Sequence, residues 1–233
     1  MNFDQKMLRA YLVGGTQDTE NDVHRFLTRV EAALAAGVTA FQYREKGNSR
    51  LTAAQTTEVA ARLRELTARY RVPYFIDDDE ELALAVGADG VHVGQKDQRI
   101  ERVIDRAAGR LLIGYSCNTP AQIARANQLA AVEYVGIGPI FPTRSKVDAD
   151  PALGLARLKA LVQESTHPVV AIGGLTADKL AATRQTGVAG LAVISLVLAS
   201  DSIPRAVRQL RGNESLAPAL QSGYPRSINA RKE

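Results

Sequence analysis

The stretch Tyr134-Val135-Gly136-Ile137-Gly138-Pro139-Ile140-Phe141-Pro142-Thr143-Arg144-Ser145-Lys146 compresses a strand, a stiff turn and a polar loop into one run. Tyr134 to Ile137 is apolar, short and without a polar face, as a strand buried on both sides requires. Gly136 and Gly138 admit close backbone approach, and Pro139 and Pro142 reduce the loop's freedom. The run ends in two hydroxyls interleaved with two cations. Thr143, Arg144, Ser145 and Lys146 are donors suited to phosphate oxygens.

Working outward, the same strand-then-loop unit recurs. Strands are expected at Leu8 to Val13, Thr39 to Tyr43, Tyr74 to Ile76, Gly90 to Val93, Leu111 to Tyr115, Tyr134 to Ile137, Pro168 to Ile172 and Gly190 to Ile194. Helical spacing fills the intervals. Asn21 to Ala36 repeats apolar residues at Val23, Phe26, Leu27, Val30 and Leu34, with Gly37 as its stop. Further helices are expected at Thr52 to Tyr70, Glu80 to Val86, Ile100 to Ala107, from Pro120, Leu153 to Glu164, Asp178 to Thr186 and Pro204 to Leu210.

Strands alternating with helices imply a parallel sheet with right-handed crossovers. Eight such units fit a compact α/β protein, a single-domain (β/α)8 TIM barrel near the lower size limit of that fold. The helix-to-strand joints echo one another at Ala36-Gly37-Val38, Val86-Gly87-Ala88-Asp89-Gly90 and Thr186-Gly187-Val188-Ala189-Gly190. They read as turns at the bottom face. An open doubly wound sheet would carry a Gly-rich phosphate loop after its first strand, and Gly14-Gly15-Thr16 matches one poorly. The barrel is expected over residues 1–212. Residues 213–233 mix Ser, Pro, Gly, Asn and Arg without an apolar stripe and are expected to be disordered.

Composition narrows the function. With 233 residues, 45% hydrophobic and 23% charged, the chain resembles an ordinary enzyme domain. Aromatics are only 5% with no Trp, and no dense Lys/Arg run occurs, which argues against a nucleic-acid partner. The net charge of +4 points instead to small anions. One cysteine excludes an internal disulfide and a thiolate metal cluster. No apolar run reaches membrane-spanning length and no signal peptide is evident, so a cytoplasmic location is expected.

In a barrel the loops after the strands carry the chemistry. Alternation along Gln42-Tyr43-Arg44-Glu45-Lys46 sends Gln42, Arg44 and Lys46 to one side, an amide and two cations facing the mouth. Cations gathered there call for an anionic partner, and a diphosphate is one. In Asp77-Asp78-Asp79-Glu80-Glu81, the last three residues read as a helix start. Asp78 and Asp97, at neighbouring strand ends, form the carboxylate pair that a Mg2+ ion on a diphosphate requires. Ser116 offers a hydrogen bond, but neither it nor Cys117 has a base beside it. Gly173-Gly174 and Ile194-Ser195, after the last two strands, fit a barrel phosphate site. His24, His92 and His167 lack metal-ligand spacing and are read as structural.

These stretches together resemble the thiamine-phosphate synthases. Gln42 to Lys46, Gly87 to Asp97, Val135 to Thr143 and Ala171 to Gly174 carry the resemblance, which runs from about Leu8 to Leu210. It implies a transferase that joins 4-amino-5-hydroxymethyl-2-methylpyrimidine diphosphate to a thiazole phosphate, giving thiamine phosphate and pyrophosphate. The implied partners are these two phosphorylated small molecules. By the same resemblance, Gln42, Tyr43, Arg44, Glu45, Lys46, Asp77, Ser116 and Lys146 hold the pyrimidine diphosphate. Asp78 and Asp97 are the implied Mg2+ ligands. Thr143, Arg144, Ser145, Gly174, Ile194 and Ser195 match the thiazole phosphate site.

The implied chemistry is a dissociative substitution, with Mg2+, Arg44, Lys46 and Lys146 stabilising the leaving group and Ser116 assisting. The chain departs from the family pattern at Asp77, where Asn is usual, and at Cys117-Asn118, where Thr-His is usual. Ser145 also stands where Thr is common. Two alternatives remain open on sequence: a thiazole tautomerase of the same fold, and a non-catalytic barrel that binds phosphometabolites.

Overall fold

The computed structural model describes residues 2–95, 99–143 and 151–212. Eight parallel strands close into a barrel in sequence order: β1 (Ala10–Gly14), β2 (Ala40–Tyr43), β3 (Tyr74–Asp77), β4 (Gly90–Val93), β5 (Leu112–Ser116), β6 (Tyr134–Ile137), β7 (Val169–Ile172) and β8 (Gly190–Val193). Closure is by β1 against β8, with Ala10 opposite Leu191. The expected (β/α)8 barrel is the fold observed.

Helices α1 (Val23–Ala35), α2 (Ala53–Tyr70), α3 (Glu80–Val86), α4 (Ile100–Ala107), α5 (Pro120–Ala126), α6 (Gly154–Glu164), α7 (Leu180–Arg184), α8 (Ser195–Leu198) and α9 (Ile203–Arg211) surround it. Their starts are chemically marked. Thr52 and Thr119 form capping boxes with Gln55 and Gln122, and Asp22 and Asp79 accept backbone N–H groups at the starts of α1 and α3. Gly37, Gly87 and Gly187, the glycines of the three echoing joints, all have positive φ. A side chain there would strain the turn back into the barrel.

The acidic run after β3 divides by position. Asp77 ends the strand and Asp79 caps α3. Fully buried Glu80 faces Arg106 Nε at 3.2 Å, and Glu81 binds the same guanidinium at 2.5 Å. These two glutamates thereby fasten α3 to α4.

Two layers make the core. Between sheet and helices, Phe41 stacks on Tyr74 at 5.9 Å, and Phe26 of α1 packs on Phe41 and Tyr43. Inside the barrel, the rings of Tyr11, Phe75 and Tyr134 meet at 5.6 to 6.0 Å, and Phe3 stacks beneath Tyr134. Glycines make room for these rings. A methyl group at Gly90 would lie 2.5 Å from Phe75, and one at Gly114 would lie 2.3 Å from Tyr134. Such volume matching is what close packing demands. Truncating a buried leucine such as Leu63 should therefore cost about 2–5 kcal/mol.

Differences from expectation are local. β3 and β5 each run one residue further toward the mouth, because Asp77 pairs with His92 and Ser116 with Gly136. The expected helix over Asp178 to Thr186 is a 3-10 turn, Ala177–Lys179, followed by α7. The short pieces Gln5–Leu8, Thr16–Thr19 and α8 have too few turns to show a periodic stripe. Residues 213–233, expected to form a tail, lie outside the described residues.

Candidate active site

A cavity of about 1040 Å³ opens at the C-terminal ends of the strands, lined from every strand: Tyr11, Gln42, Asp77, His92, Ser116, Tyr134, Val170 and Ala192. That is large enough for two small ligands side by side.

One side of the mouth is built by β2 and β3. Asp77 Oδ2 lies 3.4 Å from both Arg44 Nε and Lys46 Nζ, and Lys46 also pairs with Asp78. Arg44 and Asp77 are only about a tenth exposed. Their attraction is weakly screened, and Lys46 gives Asp77 a second counter-charge. Asp78 adopts a left-handed backbone (φ 60°), and its Oδ1 accepts a bond from Gly94 N at 3.2 Å. This conformation is uncommon for a non-glycine residue and turns the Asp78 carboxylate toward Lys46. Asp77, the departure from the family pattern, thus has Arg44 and Lys46 as counter-charges.

Neighbouring residues brace this rim. Glu45 accepts bonds from the hydroxyl and the backbone N–H of Thr16, at 2.5 and 3.1 Å, joining the loops after β1 and β2. Gln17 donates to the carbonyl of Arg44 at 2.8 Å. The Tyr43 side chain points the other way, against Phe26 in the helical layer. Burial and the nearby Glu45 carboxylate raise its phenol pKa. The structure therefore gathers Gln42, Arg44, Lys46, Asp77 and Asp78 around the cavity. It places the Tyr43 side chain outside and commits Glu45 to Thr16.

The cavity floor is a hydrogen-bonded chain. Gln42 Nε2 lies 3.2 Å from Tyr11 OH, which lies 2.9 Å from Tyr134 OH. Tyr134 OH lies 3.1 Å from His92 Nδ1, and His92 Nε2 lies 2.9 Å from Ser116 Oγ. His92 therefore has a place in the site, unlike the purely structural role expected, and it gives Ser116 an imidazole neighbour where no base was expected, because β4 and β5 are paired side by side. His167 does bond backbone, its Nε2 lying 2.9 Å from Ala126 O.

The opposite side, over β6 to β8, holds its described cations against backbone: Arg157 lines the cavity and lies 3.5 Å from Asn118 O, and Lys179 donates to Gly174 O at 3.3 Å. Ile140 N and Phe141 N donate to the carbonyls of Ile172 and Gly173 at 3.0 Å, laying the β6 loop on the β7 loop. Asn118 grips Gly138 through both backbone groups, at 2.7 and 2.9 Å, tying β5 to the same loop. Thr143, Gly173 and Ile194 line the cavity, whereas Ser195 is exposed at the start of α8 and Gly174 is half-buried in the loop. Cys117 is buried, and burial pushes its thiol up to about 12, so it stays protonated at neutral pH. Asp97, Arg144, Ser145 and Lys146 lie outside the described residues.

Sequence reasoning passed over Tyr11, Tyr134, Asn118, Gln17 and Asp18.

Among the described residues, three or more metal-ligating side chains do not converge. Asp77 and Asp78 both supply hard oxygen donors at the mouth, each paired with Lys46, and Asp78 is the one that Arg44 does not also hold. Such a donor fits Mg2+ held by one or two carboxylates and a substrate phosphate. No described helix is long and apolar enough to cross a membrane.

Comparison with known proteins adds three findings. The thiamine monophosphate synthase family model matches residues 10–197. A thiamine-phosphate synthase of Limosilactobacillus fermentum is 55% identical over 210 residues, covering 90% of this chain and 98% of the relative; one of Limosilactobacillus reuteri is 52% identical, covering 91% and 98%. The solved thiamine phosphate pyrophosphorylase of Pyrococcus furiosus superposes with a TM-score of 0.77 at 34% identity, covering 89% of this chain and 95% of that one.

Proposed function

The chain belongs to the thiamine monophosphate synthase family, and from that premise we propose that it joins 4-amino-5-hydroxymethyl-2-methylpyrimidine diphosphate to a thiazole phosphate, releasing pyrophosphate. The observation that carries this reading is the convergence of Arg44 and Lys46 on the mouth of a two-ligand cavity. The protein acts as a transferase on phosphorylated small molecules.

In this reading the bond between the pyrimidine methylene carbon and the diphosphate oxygen breaks, its electron pair leaving with the oxygen. The electron-rich ring delocalises the resulting positive charge. The thiazole nitrogen lone pair then forms the new C–N bond. No proton need move, which suits a site whose cysteine stays protonated.

Arg44 and Lys46 meet the charge that develops on pyrophosphate and neutralise it in place of water. Lys146, by the family correspondence, adds a third cation. Ser116 and Gln42 orient the pyrimidine, and Thr143, Arg144, Ser145, Gly174, Ile194 and Ser195 receive the thiazole phosphate. Holding both rings in line converts an encounter in solution into a step within one complex. Asp78 and Asp97 would hold Mg2+, which when bound neutralises the leaving diphosphate. Phosphate esters of this charge do not cross membranes unaided, so the setting we propose is the cytoplasm.

Pyrophosphate release, followed with each substrate omitted in turn, tests the reading. It predicts release only with the pyrimidine diphosphate, the thiazole phosphate and Mg2+ all present. Conversion of the thiazole phosphate alone, without release, would favour the tautomerase. Binding without turnover would favour the non-catalytic barrel.

A further inference from the structure

The floor chain Gln42–Tyr11–Tyr134–His92–Ser116 joins five strands and ends at both sides on groups that face the cavity. Tyr11 and Tyr134 are almost fully buried. Burial raises both phenol pKa values, so each keeps its single proton to give. A phenol in such a chain accepts from one neighbour and donates to the other. A neutral imidazole does the same, one nitrogen donating and the other accepting. The chain therefore has one direction at a time, and its two ends are not independent.

With Gln42 Nε2 donating to Tyr11, every later step is determined. Tyr11 donates to Tyr134, Tyr134 to His92 Nδ1, and His92 Nε2–H to Ser116 Oγ. Gln42 is left with its amide oxygen for the cavity, and Ser116 with its hydroxyl proton. Reversing one link reverses all of them and inverts what both ends present.

We infer that Tyr11, Tyr134 and His92 are positioning residues that lock the cavity floor to present an acceptor at Gln42 and a donor at Ser116. The ligand class that fits is a ring with an exocyclic amine at one end and an anionic or lone-pair acceptor at the other. The 4-aminopyrimidine diphosphate has this pattern, and its 4-oxo counterpart presents a carbonyl where the amine should be. This inference rests on the pyrimidine reading proposed above and adds a residue-level origin for amino-over-oxo selectivity. A site built to pair a polar group rejects an analogue that leaves it unpaired.

Two measurements test it. The first is the 15N spectrum of the His92 ring in the intact protein, which needs no variant beyond those that assign the three histidines. The inference predicts Nε2 protonated and Nδ1 bare; the opposite tautomer overturns it. The second is affinity for the 4-amino and 4-oxo pyrimidine diphosphates, measured by titration with thiazole phosphate omitted.

Tyr134→Phe keeps the ring and removes the link, so the amino-over-oxo ratio should fall about tenfold while inorganic pyrophosphate binds as in wild type. Tyr11→Phe should do the same, and the double variant should lose no more than either single one. An unchanged ratio, or additive losses, would mean that the tyrosines only pack, and would overturn the inference. Failure of the wild type to bind the aminopyrimidine diphosphate would instead remove the functional reading beneath it.

Discussion

The two sides of the barrel mouth differ in kind. Over β2 and β3 the rim is made of charged side chains held against one another, with Arg44 and Lys46 sharing Asp77, and Lys46 also on Asp78. Over β6 to β8 the described rim is made of loops tied by backbone bonds and by Asn118. The first holds its cations against carboxylates; the second holds Arg157 and Lys179 against backbone carbonyls. In the reading proposed above, the leaving diphosphate lies on the first side and the retained phosphate on the second. Each substitution below is a way to break that division or to sharpen it.

Asp78→Ala should have the largest effect. Turnover should fall about a thousandfold, and the Mg2+ concentration for half-maximal rate should rise. Steady-state rates over a Mg2+ series check this, and full activity at low Mg2+ would remove the metal from this side. Asp97→Ala is expected to behave alike.

Lys46→Ala comes next. Its loss should raise KM for the pyrimidine diphosphate by about ten- to a hundredfold, more at low salt than at high salt, since Lys46 is about a third exposed. Asp77→Asn should do less. It releases Arg44 and Lys46 from a carboxylate that competes with the diphosphate. Activity should stay within about threefold of wild type, with saturation at lower Mg2+. Abolished turnover would mean that Asp77 contacts the reacting groups.

The smallest effect is expected at Thr52, whose capping box starts α2 and which does not line the cavity. Thr52→Ala should cost about 1 kcal/mol and lower Tm by about 2–4 °C, leaving both KM values alone. A changed KM there would show that the rims are not separable from the scaffold.

The barrel was legible in the sequence because each element is short and sharply punctuated. β4, β6, α3 and α4 occur at the expected bounds, marked by apolar runs, Gly joints and caps. Alternation also predicted that Gln42 would face inward, and β2 turns Tyr43 outward. The cavity floor was not legible. Tyr11 and Tyr134 lie 123 residues apart and meet only because closure of the barrel sets their register. His92 offered no spacing signal, since its partners come from two other strands. Asn118 was visible only as a departure from a family pattern, with no hint that it grips Gly138. Charge placed at a strand end can be read from alternation; bonds across the barrel cannot.

The division of the mouth is tested most directly by Arg44→Ala, whose partner Asp77 retains Lys46 as a counter-charge. Both KM values should be measured at saturating Mg2+, with a melting curve to confirm the fold. KM for the pyrimidine diphosphate should rise about a hundredfold while KM for the thiazole phosphate stays within about twofold. An equal rise for both substrates would contradict the division.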